Sequence, residues 1–369
     1  MSNTLKKNGH EPLVHITKRG DIPAGRAWAI RLIAIAASLL VSAIVVVMLT
    51  GYDPLQVFKA MFSGNFGSQT KVRTLFQNIA MLLCISLAVT PAFKMKFWNL
   101  GAEGQVLVGG LASAACMFYI KDSLPNALLI LIMFAASISA GVVWGLIPAV
   151  FKAKWNANET LFTLMMNYVA IQLVSFFIML WVPSGSSVMG LINADTKAGW
   201  LPNLFGQKYL INILIVAVLT IVMYFYLKSS KQGYEIAVVG ESENTAKYIG
   251  INVKKVIVRT MTISGGLCGL AGFLLVSGTN HTVTKELAGG MGFTAVMVSW
   301  LAKFNPAVMV LTSFLIVFLQ RGAGEIATVC RLNESVSDIL TGIIIFFIIG
   351  SEFFINYKIN FKSKHKEEK

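Results

Sequence analysis

The chain alternates between long apolar runs and short polar connections, and this pattern predicts its elements. A helix needs about 20 apolar residues to cross the hydrocarbon core of a bilayer, and most of the runs approach or exceed that length. The stretch KFNP (303–306) joins the two shortest runs and is typical of a turn. We therefore predict ten segments, of which the eighth is too short to cross fully. They occupy residues 28–50, 74–93, 101–120, 127–150, 160–182, 209–228, 256–277, 292–303, 305–320 and 337–356.

The polar segments between the runs predict the domain organisation. Residues 1–27 form a polar N-terminal tail, residues 28–357 a transmembrane domain, and residues 358–369 a basic C-terminal tail that is most simply a solvated end. The long polar connection within the domain covers about 229–255. Residues 53–66 are amphipathic, and we expect them to lie along the outer membrane surface. The predicted fold class is an all-α polytopic membrane protein.

Composition and charge support a membrane protein and set its predicted orientation. The chain is 56% hydrophobic and 13% charged, whereas a soluble domain carries roughly 25% charged residues. Of its 31 lysines and arginines, 22 lie in the segments on the same side as the termini. Basic loops stay in the cytoplasm, so both termini are expected there. The net charge of +14 then reflects topology and does not indicate nucleic-acid binding.

The sequence offers no pattern for catalysis or metal binding. Its four cysteines are scattered, and its four histidines lie outside the predicted spans without a neighbouring nucleophile or metal cluster. No Walker A sequence is present, so we expect no ATP use by this chain, no metal and no cofactor. A membrane enzyme would need convergent catalytic groups, and we find none.

The segment FWNLGAEGQVLVGG (97–110) places Asn99, Glu103 and Gln105 between two apolar runs. Its glycines permit close backbone approach, so one interpretation is a helix start with small-residue packing. A second is a broken helix near the membrane centre whose polar groups line a cavity, since irregular backbone is tolerated there. A cytoplasmic turn is the third.

The segment KWNANETLFTLMMNYVA (154–170) predicts a helix start followed by a buried amide. Asn158 can cap the helix, and Glu159 favours its positive end. Asn167 lies inside the apolar run, where an amide needs a partner. Hydrogen bonding between helices and lining of a pathway are equally open roles for Asn167.

Three further patterns concern the second half of the chain. The 229–255 connection contains a short potential helix, SENTAKYIG, which Ser242 can cap. Its apolar residues, including Val239, Ala246 and Tyr248, indicate docking against a cytoplasmic partner. The segment TISGGLCGLAGFLLVSG (262–278) carries glycines at a spacing that favours tight helix packing. Segments two to five and seven to ten are also candidates for inverted copies around segment six.

Together FWNLGAEGQ, NETLFTLMMNY, VVGESENTAKYIGI and GGMGFTAVMVSWLAKFNP resemble permease subunits of bacterial ABC importers. The resemblance is to the simple-sugar and nucleoside branch, which is related to ribose and branched-chain amino acid permeases, and covers about residues 30–356. The first motif is most similar to the nucleoside branch. The chain departs from the family at Thr294, where an acidic residue usually follows the phenylalanine.

The resemblance implies a type II importer permease in a bacterial plasma membrane, which forms a pathway with a second, often non-identical permease. It also implies a cytoplasmic ATPase that hydrolyses ATP and an extracellular solute-binding lipoprotein. We assign substrate-pathway roles to Trp98, Asn99, Glu103, Gln105 and Asn167. ATPase coupling is assigned to Gly240, Glu241, Asn244, Ala246 and Gly250. Docking of the solute receptor is assigned to Arg321, Glu325, Arg331 and Glu334.

Two alternative functions remain open from the sequence. The same kind of complex can import ribose-like simple sugars instead of nucleosides. An ion-coupled secondary transporter would work alone and would need essential acids in the membrane. Glu103 and Glu352 are the acids near apolar spans that such a mechanism would use.

Overall fold

A computed structural model describes residues 14–20, 22–51, 53–120, 124–182, 189–332 and 334–361. The structure is almost entirely helical. Its elements are β1 (Val14–Lys18), α1 (Ala24–Thr50), α2 (Pro54–Phe66), α3 (Gln69–Lys94), α4 (Ala102–Ile120), α5 (Asn126–Trp155), α6 (Glu159–Trp181), α7 (Leu210–Ser229), α8 (Lys231–Glu241), α9 (Glu243–Tyr248), α10 (Val253–Leu275), a π-helical turn (Val276–Asn280), α11 (Met291–Leu301), α12 (Pro306–Val329), α13 (Glu334–Asn356) and β2 (Tyr357–Phe361).

Nine of the helices in the described part of the chain are long and apolar enough to cross a membrane. The tenth apolar helix, α11, has 11 residues. Each of the ten predicted runs falls on one of these helices, and the eighth is the short one. The all-α polytopic fold class is therefore confirmed, whereas the inverted relation between the two halves stays a prediction. The tail boundaries also stay predictions, and residues 1–13 and 362–369 lie outside the described residues.

The chain divides into two compact units. In the first unit, which contains the described residues up to 64 and from 322 onward, α1 packs against α13. Arg31 on α1 forms an ion pair with Glu352 on α13 at 2.6 Å. Strands β1 and β2 pair antiparallel, with Val14 opposite Phe361 and Lys18 opposite Tyr357. The two ends of the described chain therefore meet in one ribbon.

The second unit, residues 65–321, is built around α10, which packs against α3, α4 and α5. Glycines line the contacts with α4 and α5. A Cβ atom added at Gly141 would collide with the carbonyl oxygen of Gly265, and one added at Gly269 would collide with that of Ser137. The predicted tight packing is thus confirmed, since backbones approach most closely where side chains are absent. We call Gly109, Gly141, Gly265, Gly269 and Gly272 the glycine seam.

Helix α12 is longer than the sequence predicted. The run was expected to end at residue 320 and to give way to an exterior stretch, but the helix continues to Val329. The charges at Arg321 and Glu325 interrupt the apolar run without breaking the helix. Buried Ala323, Ile326 and Ala327 keep the spacing of one apolar helical face through these turns.

The predicted polar connection at 229–255 contains two helices, α8 and α9. The hydroxyl of Ser242 accepts a hydrogen bond from the Thr245 N–H at 3.2 Å, so its predicted capping role is confirmed. The prediction that the apolar residues of this segment face a partner was wrong for Val239 and Ala246. Both are buried in a cluster that also contains Ile236 and Met261, where they cover the chain's own helices.

Candidate functional site

The candidate site is a helix break between α3 and α4. Helix α3 ends at Lys94, and α4 begins at Ala102. Between them the chain turns through Lys96, whose φ of 60° lies in the left-handed region. The Phe97 N–H still reaches back to the Ala92 carbonyl at 2.9 Å. The motif FWNLGAEGQ therefore forms an irregular segment that leads into the first turn of a spanning helix.

Side-chain amides replace the backbone hydrogen bonds that this break leaves open. The Asn99 carbonyl oxygen accepts from the Gly101 N–H at 3.1 Å and from the Gln105 amide at 3.2 Å. The Asn99 amide donates in turn to the hydroxyl of Ser264 on α10 at 3.2 Å. Asn99 and Gln105 are both fully buried. Together they provide hydrogen-bond partners for a turn of irregular backbone, which lipid could not supply.

Helix α6 supports the same break from the other side. Its N-terminus is capped as predicted, since Asn158 accepts from the Leu161 N–H at 3.1 Å. Two turns further on, Asn167 accepts from the Gly104 N–H and donates to the Leu100 carbonyl, both at 2.8 Å. Asn167 is buried, and its amide uses both of its polar atoms on the break.

Glu103 joins the break to α11. One carboxylate oxygen accepts from the Gly290 N–H and the other from the Gly292 N–H, each at 2.8 Å. A carboxylate at a helix N-terminus is stabilised by the unpaired N–H groups and by the helix dipole. Gly292 has no room for a side chain, because an added Cβ would lie 2.6 Å from the Glu103 nitrogen. We call this arrangement the Glu103 clasp.

Aromatic rings form the exposed side of the site. Trp98 is 42% exposed and Trp300 on α11 is 48% exposed, and their ring centroids lie 5.3 Å apart. Phe93 meets Trp98 edge-on at 5.8 Å. Sequence reasoning singled out Trp98 but missed Trp300, although the motif containing Trp300 had been recognised. Their contact joins residues 202 positions apart along the chain, which no local pattern reveals.

The structure brings the five predicted pathway residues into one region of the second unit. Asn99, Glu103, Gln105 and Asn167 are buried and hold the break, and only Trp98 presents a large exposed surface. Contact of any of them with a substrate stays a prediction.

The predicted coupling residues separate into two groups. Gly240 and Ala246 are buried, and a Cβ at Gly240 would collide with the Lys94 carbonyl. They can influence a partner only by fixing the position of α8 and α9. Glu241, Asn244 and Gly250 are exposed, and a role for them in ATPase docking stays a prediction.

The predicted receptor-docking residues lie near the junction of α12 and α13. Arg321 and Glu325 are half-buried on α12, and Arg331 is exposed with a φ of 53°. Glu334 begins α13, and its side chain lies outside the described residues. Their docking role stays a prediction.

The sequence also did not reveal a cavity at the end of α10 opposite the 229–255 connection. It has a volume of about 610 Å³ and is lined in part by Lys197, Lys208 and Asn212. Trp200 and His281 stack at its wall with centroids 3.7 Å apart. Burial lowers the pKa of His281, and the nearby Lys208 charge lowers it further.

A family profile described as "Branched-chain amino acid transport system / permease component" matches residues 72–349. The chain belongs to this permease family. The match includes the helix break, the glycine seam, the Glu103 clasp and α8 with α9. The chain is thus a multi-pass membrane permease subunit of a transport system.

Three relatives align with most of the permease. It is 29% identical to the guanosine ABC transporter permease protein NupP of Bacillus subtilis, over 87% of this chain and 92% of the relative. It is 26% identical to the glucose ABC transporter permease protein TsgB13 of Haloferax volcanii, over 94% and 93%. It is also 26% identical to the nucleoside ABC transporter permease protein NupB of Lactococcus lactis, over 88% and 91%. The chain is a permease subunit of the same ABC transporter class.

Proposed function

We propose that this permease forms the membrane pathway of an ATP-driven importer for nucleosides. The observation that carries the substrate class is its near full-length similarity to a guanosine and a nucleoside permease. The exposed pair of Trp98 and Trp300 supports it, because a planar nucleobase can stack on aromatic rings. The buried amides keep the break rigid behind these rings.

In this proposal the chain is not itself a catalyst, and a separate ATPase docks on α8 and α9. The surface offered there includes Glu241, Asn244 and Tyr248, whose side chain is 92% exposed. ATP binding elsewhere can shift the permease between two states only through contacts that differ between those states. Gly240 and Ala246 link this surface to the cytoplasmic ends of the chain's own helices.

The orientation and remaining partners belong to the same proposal. Both termini lie in the cytoplasm of a bacterial cell, and a second permease, which we expect to be non-identical, completes the pathway. An extracellular solute-binding lipoprotein docks on the outer face, with rim charges from Arg321, Glu325, Arg331 and Glu334. Such charges favour correct docking and raise association rates.

Simple-sugar import is the second candidate, and the glucose permease relative favours it. The ion-coupled alternative is disfavoured by the geometry of its two candidate acids. Both oxygens of Glu103 accept backbone hydrogen bonds, and Glu352 is paired with Arg31. Binding a transported ion at either acid would first require breaking these contacts.

Uptake by cells tests the proposed substrate. Radiolabelled guanosine, other nucleosides and pentoses are offered to cells with the permease, without it, and with an ATPase-dead partner. We expect nucleoside uptake to be lost in both mutants. Loss of only sugar uptake would overturn the nucleoside assignment. Uptake that survives the dead ATPase and collapses with a proton uncoupler would favour the ion-coupled transporter.

The coupling surface is tested by Glu241→Ala with Asn244→Ala in the reconstituted complex. We expect transport-coupled ATP hydrolysis to fall, because the two exposed polar groups are removed from the docking surface. The matched control is Glu286→Ala with Asn203→Ala, which removes an exposed acid and an exposed amide outside α8 and α9. Unchanged coupling in the first variant would remove Glu241 and Asn244 from the interface.

A further inference from the structure

A second cavity lies between α8, the first turns of α10 and the short segment that joins α9 to α10. Its volume is about 500 Å³. Lys231, Gln232 and Glu235 of α8 form one wall, and Lys255, Val256 and Arg259 of α10 form another. The link residues from Ile249 to Asn252 complete it.

The charges around this cavity are unbalanced. Three cations line it, from Lys231, Lys255 and Arg259, against one carboxylate, from Glu235. That carboxylate is already paired with the Arg259 guanidinium at 2.8 Å. Within the described residues, the side chains of Lys231 and Lys255 have no ion-pair or hydrogen-bond partner. The lining therefore carries two positive charges, on the exposed side chains of Lys231 and Lys255, that no carboxylate neutralises.

The N-terminus of α10 also favours an anion at this cavity. Helix α10 begins at Val253, beside the cavity, with Asn252 as its cap. The Asn252 side chain accepts from the Lys255 N–H at 3.1 Å, which leaves other N–H groups of the first turn without an intrahelical acceptor. A helix N-terminus favours a negative group, and here it reinforces the lysines.

The cavity also lies at the membrane boundary. Helix α7 ends at Ser229, directly before α8, and the apolar span that contains α10 begins at Val253. Lysine and arginine pockets at this level on the cytoplasmic side suit phosphate-bearing headgroups. This step rests on the orientation proposed above.

We propose that this cavity binds a phosphate-bearing anion held by Lys231, Lys255 and Arg259. The phosphate belongs either to an anionic lipid headgroup or to a soluble phosphate ester in the cytoplasm. Because the anion contacts both α8 and α10, its binding stabilises one position of the coupling surface relative to the spans. Glu235 keeps Arg259 oriented toward α8.

The test measures how fast single lysines react with an acylating reagent, read by mass spectrometry on the complete transporter complex. The complex is placed in nanodiscs of zwitterionic lipid, in the same nanodiscs with inorganic phosphate, and in nanodiscs that contain phosphatidylglycerol. Ionic strength is matched with chloride. Lys254 is the internal control, since it is exposed, as Lys231 and Lys255 are, but does not line the cavity.

We expect phosphate or phosphatidylglycerol to slow modification of Lys231 and Lys255 about tenfold while Lys254 changes little. Protection by inorganic phosphate alone identifies a soluble ester, and protection by the lipid alone identifies a headgroup. Lys255→Gln should weaken the protection of Lys231 about tenfold, whereas Lys254→Gln should leave it unchanged.

Three results would overturn the proposal. In the first, neither anion slows the reaction at Lys231 and Lys255. In the second, Lys254 slows equally, which would mean general screening of surface charge. In the third, both cavity lysines are already protected without either anion, which would mean that the partner ATPase fills the cavity. None of these results depends on the transported substrate, which the uptake experiment decides separately.

Discussion

The glycine seam and the helix break are both tightly packed parts of the second unit, but they achieve this in opposite ways. In the seam, backbones of α5 and α10 touch because side chains are missing. At the break, backbone is held by the side chains of Asn99, within the break, and of Asn167 on α6. The seam needs the smallest residue, whereas the break needs residues with specific donors and acceptors.

This difference shows two solutions to one problem of folding in lipid. Apolar side chains gain little by meeting each other there, since lipid tails are equally apolar, so close packing and polar satisfaction have to hold helices together. A regular helix satisfies its own backbone and needs only a close fit. An interrupted helix exposes polar groups and needs partners for each of them.

The largest expected effect is in the seam. Gly269→Ala places a methyl group against the Ser137 carbonyl, a rigid backbone atom, so we expect a loss of about 3 kcal/mol in the free energy of unfolding. Gly342→Ala is the matched control, because its added Cβ meets nothing within 4 Å. Thermal unfolding in detergent measures both variants. A melting temperature of Gly269→Ala equal to that of the wild type would show that α5 and α10 can move apart at the seam without loss of stability.

A smaller effect is expected at the break. Glu103→Gln keeps one acceptor oxygen but turns an amide donor toward a backbone N–H of the clasp, so we expect a loss of about 2 kcal/mol in the free energy of unfolding, together with reduced uptake. Glu286→Gln is the control, because Glu286 is exposed. A variant that keeps wild-type stability and uptake would contradict the clasp.

The smallest expected effect is on the pH dependence of stability. It concerns His281, which lies beyond the C-terminal end of α10 at the wall of the 610 Å³ cavity. Because the pKa of folded His281 is lowered, the unfolded chain binds the proton first. Stability should therefore fall as pH drops below about 6.5. His281→Phe keeps a ring against Trp200 without a titrating group and should show a flatter melting temperature between pH 7 and pH 5. An identical pH profile in both proteins would remove His281 as the cause.

The sequence predicted the spans well because lipid demands long apolar runs, and every predicted run coincides with a helix. It also predicted the caps at Asn158 and Ser242, since a cap and its helix are neighbours in sequence. Helix α8 was missed because its Gly233 and Gly240 suggested a loop. The spacing of Ile236 and Val239 on one buried face was the available signal.

The arrangement of the site could not be predicted in the same way. The clasp joins Glu103 to Gly290 across 187 positions, and Asn167 meets Gly104 across 63. The sequence showed that these polar residues needed partners but not which ones. The sequence left hydrogen bonding between helices and pathway lining equally open for Asn167, and the fold shows that its amide bonds a backbone turn of the same chain.

The ribbon of β1 and β2 has a consequence for how often the chain crosses the membrane. Strands that pair with each other must lie on one side, so the chain between Lys18 and Tyr357 has to cross an even number of times. Within the described residues, nine helices are long enough to cross alone, and nine is odd. The shorter apolar helix, α11, spans about 16 Å of the roughly 30 Å hydrocarbon layer. A tenth crossing would need irregular chain beside α11 to make up the remaining thickness, and the Glu103 clasp at Gly290 holds the point where irregular chain meets that short helix.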